Sequence, residues 1–141
     1  MMDYAGLKAA IKTQLATVAS SLSPATTVEW YGEPSNPRSR TLPWVEASIR
    51  YGTTETTALG STCKNAVYGV VFLNLFASMQ ADDSVVLRLG QALLEGFPKG
   101  LKISFGDNDI LFKVGYIETP LKREQFWMYP VTLPFTAYME V

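Results

Sequence analysis

The sequence predicts an α+β domain: a mostly antiparallel, mixed β-sheet with two α-helices packed on one face, plus a β-hairpin. Apolar residues recur at three- and four-residue steps in two stretches, near residues 4–22 and 86–97. Other stretches alternate apolar and polar residues, or run apolar, at strand spacing. The order helix, strands, helix, strands places helices on one side of such a sheet. With 141 residues the chain has room for one domain, spanning residues 1–141. A domain of this size buries about 70% of the surface its unfolded chain exposes, so it needs neither disulfide nor metal to fold.

The first helix follows from Tyr4, Leu7, Ile11, Leu15, Val18 and Leu22, one apolar stripe with Lys8, Lys12 and Thr13 outside it. Asp3 stands near its start, where negative charge complements the helix dipole. Pro24 pushes Ser23 out of helical geometry and stops it. Residues 27–31 form a short strand with Val28 and Trp30 on one face. The turn-rich residues 32–37 follow, with Arg38 and Arg40 just beyond. Residues 43–51 alternate Val45, Ala47, Ile49 and Tyr51 against Trp44, Glu46, Ser48 and Arg50, the pattern of a half-buried strand. Residues 52–62, rich in Thr, Gly and Ser, predict a long exposed loop or flexible hairpin tip.

Residues 65–78 are apolar on both faces, which places them in the middle of a covered sheet. At about 3.3 Å per residue such a strand is roughly 40 Å long, against an expected radius of gyration of about 14 Å. It therefore runs past its own domain or bends at Gly69. The second helix has Asp82 or Asp83 as N-cap, an inward stripe of Val86, Leu89, Gly90, Leu93 and Phe97, and a stop at Gly96 and Pro98. Residues 101–105 and 110–117 predict a hairpin turning at residues 106–109. In the last strand, residues 125–141, Pro134 cannot donate to a ladder, which predicts an edge strand or a bulge there.

The composition excludes several chemistries. The chain has no histidine, which removes Ser-His-Asp and Cys-His nucleophilic machinery, histidine bases and every His-containing zinc site. Its single cysteine, Cys63, cannot form an internal disulfide or a CxxC knuckle. No phosphate-loop motif occurs, and Asp107-Asn108-Asp109 lacks the register of a calcium loop and reads as a turn. Asp82-Asp83 reads as a helix start rather than an acid-base pair. No cofactor or metal is expected. The most apolar run, residues 66–77, contains Asn74 and is shorter than the 18 or so residues of a membrane span. Residues 1–22 lack the unbroken apolar core of a signal peptide. These features predict a soluble chain made in a reducing cytoplasm, without a membrane partner.

The net charge of −1 argues against a strongly cationic nucleic-acid binder. Charged residues make up 18% of the chain, below the roughly 25% usual for soluble domains. Part of the surface is therefore expected to meet other proteins. Arg38, Arg40, Arg50, Lys122, Arg123 and Trp127 are the candidates, because Arg and Trp are enriched at protein interfaces. Stacked aromatics beside arginine also suit single-stranded nucleic acid, and solvated loops carry the same residues.

The order of these features resembles the tail terminator (tail-completion) proteins of long-tailed bacteriophages. It is carried by the N-terminal amphipathic helix, then Val28-Glu29-Trp30-Tyr31-Gly32-Glu33-Pro34, then Leu42-Pro43-Trp44-Val45. After the loop ending at Gly60, Tyr68-Gly69-Val70-Val71-Phe72 leads into the second helix, and the chain closes with Trp127-Met128-Tyr129-Pro130-Val131-Thr132-Leu133-Pro134-Phe135-Thr136-Ala137-Tyr138. The resemblance spans nearly the whole chain in pattern and order. It implies a non-enzymatic virion component at the tail neck that forms a hexameric ring on the tail tube, stops tube growth and meets the head-tail connector. Genomic DNA then passes through the lumen without sequence-specific binding, and the candidate residues become subunit or tail-tube contacts. Alternatives are another head-tail joining, neck or minor tail protein of similar fold, and, more distantly, a small ligand-binding or enzymatic α+β domain.

Overall fold

In the computed structural model, residues 2–34, 42–56 and 64–140 are described; Arg38, Arg40 and Cys63 lie outside them. The elements are α1 (Tyr4–Ser20), β1 (Thr27–Trp30), β2 (Trp44–Thr56), β3 (Lys64–Ser78), α2 (Asp83–Glu95), β4 (Lys102–Phe105), β5 (Asn108–Phe112), β6 (Tyr116–Ile117), β7 (Leu121–Arg123) and β8 (Phe126–Glu140). All strands join one sheet in the order β1-β2-β3-β8-β5-β4, with β6 and β7 also paired to β8. Among the described residues only β1 and β2 run parallel. This is the predicted α+β architecture.

Both helices start where the sequence caps them. The Asp3 carboxylate accepts from the Gly6 N–H at 2.8 Å, and Asp82 accepts from the Ser84 N–H at 2.9 Å. Leu7, Ile11, Leu15 and Val18 of α1, with Val86, Leu89 and Leu93 of α2, are buried against one face of the sheet. Each such aliphatic side chain contributes roughly 1.5–3 kcal/mol by leaving water. Tyr4 stands half-exposed at the end of the stripe, its ring edge-to-face with Tyr51 at 5.0 Å. On its flanks α1 reaches both β1 and β4. Lys8 and Lys12 pair with Glu33 just past β1, and Lys8 also lies over the Trp30 ring. The sheet therefore curls around α1.

The long strands differ from expectation in instructive ways. β2 does not end at Tyr51; it continues to Thr56, with a bulge between Tyr51 and Thr54. Its pairing of Thr56 with Asn65 leaves only residues 57–62 of the predicted loop, and these lie outside the described residues. β3 is interior, as its apolar character requires, yet only the face bearing Val67, Val71, Leu73, Leu75 and Ala77 is covered by helices. Tyr68, Val70, Phe72 and Phe76 on the other face stay partly exposed, because both helices lie on the opposite side. Nor does β3 outrun the sheet: all of it pairs with β8, from Lys64 opposite Glu140 to Ser78 opposite Phe126. At Gly69 the Phe135 ring takes the place of a side chain, its Cζ 2.4 Å from where a Cβ would stand.

β8 is not an edge strand, and Pro134 causes no bulge in its register with β3. The proline is accommodated on the other side. Residues 110–117 form not one strand but β5 and β6, interrupted at residues 113–115. The Pro134 carbonyl accepts from the Lys113 N–H at 2.9 Å, so its nitrogen also faces this interruption, where no ladder donor is needed. Pro130 repeats the device between β6 and β7, its carbonyl accepting from the Glu118 N–H at 2.8 Å. The β4–β5 turn is also tighter than expected. Phe105 pairs with Asn108, leaving Gly106 and Asp107 as a two-residue turn with Gly106 at φ +57°.

Candidate interaction surface

Because both helices pack on one side of the sheet, the opposite face is, among the described residues, left to the strands alone. Register assigns its occupants. β2 contributes Trp44, Glu46, Ser48 and Arg50; β3 contributes Phe76, Asn74, Phe72 and Val70 opposite them; β8 adds Met128, Pro130, Thr132 and Pro134. Beyond β8, Leu111, Tyr116 and Leu121 are exposed next to Thr136, Thr132 and Met128. The rings are ordered by one another: Trp44 stacks on Phe76 at 4.3 Å with planes 9° apart, and the Arg50 guanidinium lies 5.6 Å from the Phe72 centroid. Lys113 sits similarly over Tyr68 at 5.3 Å. Thr132 is buried within this face, and its hydroxyl has no hydrogen-bond partner among the described residues.

The predicted basic residues do not form one cluster. Arg50 and Trp44 are six residues apart on β2, about 20 Å at strand spacing. Lys122 and Arg123 lie at the Trp44 end, where β7 borders an open groove of about 670 Å³ floored by Trp44, Phe76 and Met128. Glu46 and Glu124 line the same groove, so its charge is mixed rather than basic. Trp127 points the other way, half-buried against the core that the helices cover. Arg38 and Arg40 fall outside the described residues. Sequence reasoning missed Phe72, Phe76, Tyr116 and Leu121 as surface residues. The signal was present: two helices on one side cannot also cover the second apolar face of residues 65–78.

Electrostatics elsewhere serve the fold. Lys12 and Lys8, hydrogen-bonded to half-exposed Glu33, hold its carboxyl below its ordinary value. The buried Tyr129 phenol donates to Asp83 at 2.5 Å, tying β8 to the start of α2. Desolvation first, then the bond to Asp83, pushes Tyr129 from 10 up to about 12. The raised value means that the neutral phenol's contribution to stability is intact below pH 10 and is lost as pH climbs toward 12. The denaturant midpoint is therefore expected to fall across that window, and Tyr129→Phe to flatten the fall. An unchanged slope in that variant would remove Tyr129 as its source.

Among the described residues no three His, Cys, Asp or Glu side chains gather to hold a metal. No described helix is long and apolar enough to cross a membrane.

One solved structure matches with a TM-score of 0.77 at 16% identity, covering 100% of this chain and 99% of the other. This likeness shows that the fold is shared. A second, described as the virion of a native gene transfer agent particle, gives a TM-score of 0.47 at 14% identity over 96% of this chain and 95% of its own. No curated protein matches. A family model described as phage tail terminator protein matches residues 6–135, nearly the whole chain. The chain is a phage tail protein and belongs to the phage tail terminator family.

Proposed function

We propose that this chain, as a single domain, forms a six-membered ring on the last ring of a tail tube, ends tube growth there and offers its free side to the head-tail connector. The family match over residues 6–135 carries the reading. In this reading the ring is a non-enzymatic part of the virion neck, assembled from chains made in the host cytoplasm. DNA passes through its lumen without sequence-specific contact, as a near-neutral chain permits. The helix-free face supports a role in assembly: its half-exposed rings and its groove of mixed charge suit a protein partner better than a phosphate backbone. Arg38, Arg40, Arg50, Lys122, Arg123 and Trp127 are proposed as contributors to subunit or tube contacts.

The test is tube length. Tail tubes polymerised with this protein are expected to end at uniform length and carry a terminal ring in electron micrographs, whereas tubes grown without it overrun. Equal length distributions with and without the protein would refute the reading.

A further inference from the structure

The sheet is open, and its two ends offer different unpaired backbone. At one end β4 bonds only to β5. Phe105 pairs with Asn108 at the two-residue turn, and the Phe112 N–H donates to the Leu101 carbonyl at 2.9 Å. Alternation then turns the N–H and C=O of Lys102 and Ser104 away from β5. At the other end β1 covers β2 only from Trp44 to Ala47. The Ala47 carbonyl accepts from the Tyr31 N–H at 2.9 Å, which fixes the direction of the rest. Ile49 and Tyr51, and past the bulge Thr54 and Thr56, direct their backbone groups to the same open side. Among the described residues no strand pairs with either set.

We infer that these ends pair between copies: the outer edge of β2 in one copy adds to β4 of the next as a further strand. The inference rests on the ring reading and names the contact that closes the ring. β4 opens onto a groove of about 520 Å³ whose far wall is α1, with Gly6, Ala9, Ala10 and Thr13. Since the sheet curls around α1, an added strand continues that curl over the flank of the helix β4 leaves open. The small side chains there let it approach closely. The donor edge is preformed: residues 50–56 are exposed yet held extended by β3 alone. It carries no proline and no inward charge, and of the usual defences of a solitary edge it has the bulge between Tyr51 and Thr54. Glu55 on β2 and Lys102 on β4 both project from the helix-free face, so the joint sheet brings opposite charges to one side. Because the two edges differ, the contact is head-to-tail and repeats until rotation closes it.

Cysteine trapping in the full chain tests this. In a Cys63→Ser background, Glu55→Cys is combined with Ser104→Cys, or with Lys102→Cys to cover a shifted register; all three positions stand on the helix-free face, as opposed residues of one joint sheet must. Cα atoms opposed across paired strands fall within the roughly 4.4–6.8 Å a disulfide needs. Oxidation of rings on tail tubes is expected to give a covalent ladder of multimers that neither single cysteine gives. Dimers from either single cysteine would mean that like edges pair, and would overturn the inference. So would rings in micrographs that yield no cross-link, which leaves the ring reading standing. A wild-type chain that forms no ring even on tubes sinks both. Ser104→Pro removes an N–H that the monomer's ladder does not use. A folded S104P chain is expected to lose about tenfold or more in ring occupancy, as lost edge pairing dictates. Full occupancy by that variant would contradict the pairing.

Discussion

Alanine at position 135 is expected to lower unfolding free energy by about 3–5 kcal/mol, the range for deleting a fully buried phenylalanine. Phe135 is 1% exposed and belongs to a chain of rings. Its centroid lies 6.0 Å from Phe112, which in turn lies 5.1 Å from Phe97 just past α2. These rings join β8, β5 and the end of the second helix, so removing one leaves a cavity whose walls belong to three elements. The walls cannot all collapse inward, which places the cost in the upper part of the range. The ring also covers Gly69, and this gives the prediction a second arm. Gly69→Ala alone drives a methyl into the Phe135 ring, but in the Phe135→Ala background the same methyl has room. The double variant is expected to be more stable than the sum of the two losses by over about 0.5 kcal/mol. Denaturant unfolding of the four proteins measures this, and strict additivity would contradict the packing described.

The second large effect is expected at Gly96, where α2 ends. Its φ of −74° suits any residue, so the need for glycine there is steric rather than conformational. A Cβ would stand 2.3 Å from Val18 Cγ2, 2.6 Å from Cγ1 and 3.0 Å from Cβ. No rotation of Val18 clears all three, so α1 itself must move. That movement strains the 2.9 Å bond from the Gln14 amide to the Gly96 carbonyl. Gly96→Ala is therefore expected to cost about 1–3 kcal/mol, the usual penalty of overpacking. Val18→Ala, harmful alone, is expected to recover part of that loss when combined with it. Thermal unfolding of the pair decides the matter; a Gly96→Ala chain as stable as wild type would show that the helices meet elsewhere.

Helix positions and inward stripes were legible because periodicity and caps are local. Asp3, Asp82 and the Val86-Leu89-Gly90-Leu93 stripe stand where the sequence places them. The place of β8 was not legible. Pro134 carries a local instruction, no donor here, and the instruction can be met by ending the strand's neighbour as well as by putting the strand at an edge. Which solution applies depends on residues 113–115, whose pattern alone does not announce a gap. For the surface, the parity of β8 already assigned Trp127 to the core face, two residues before Tyr129 and four before Val131. The separation of Arg50 from Lys122 and Arg123 depended on strand order, which no local pattern encodes.

The interruptions opposite Pro134 and Pro130 also shape how the protein yields. One margin of β8 is a continuous seam with β3, along the full length of both strands. The other is sectional, held by β5, β6 and β7 in turn. A section can detach and re-seat with little unzipping of its neighbours, since the breaks are held to β8 by the single bonds from Lys113 to Pro134 and from Glu118 to Pro130. The molecule thus joins a stiff central seam to a jointed flank, and adjustment to a neighbour can be confined to Tyr116 or Leu121 while the core stays closed.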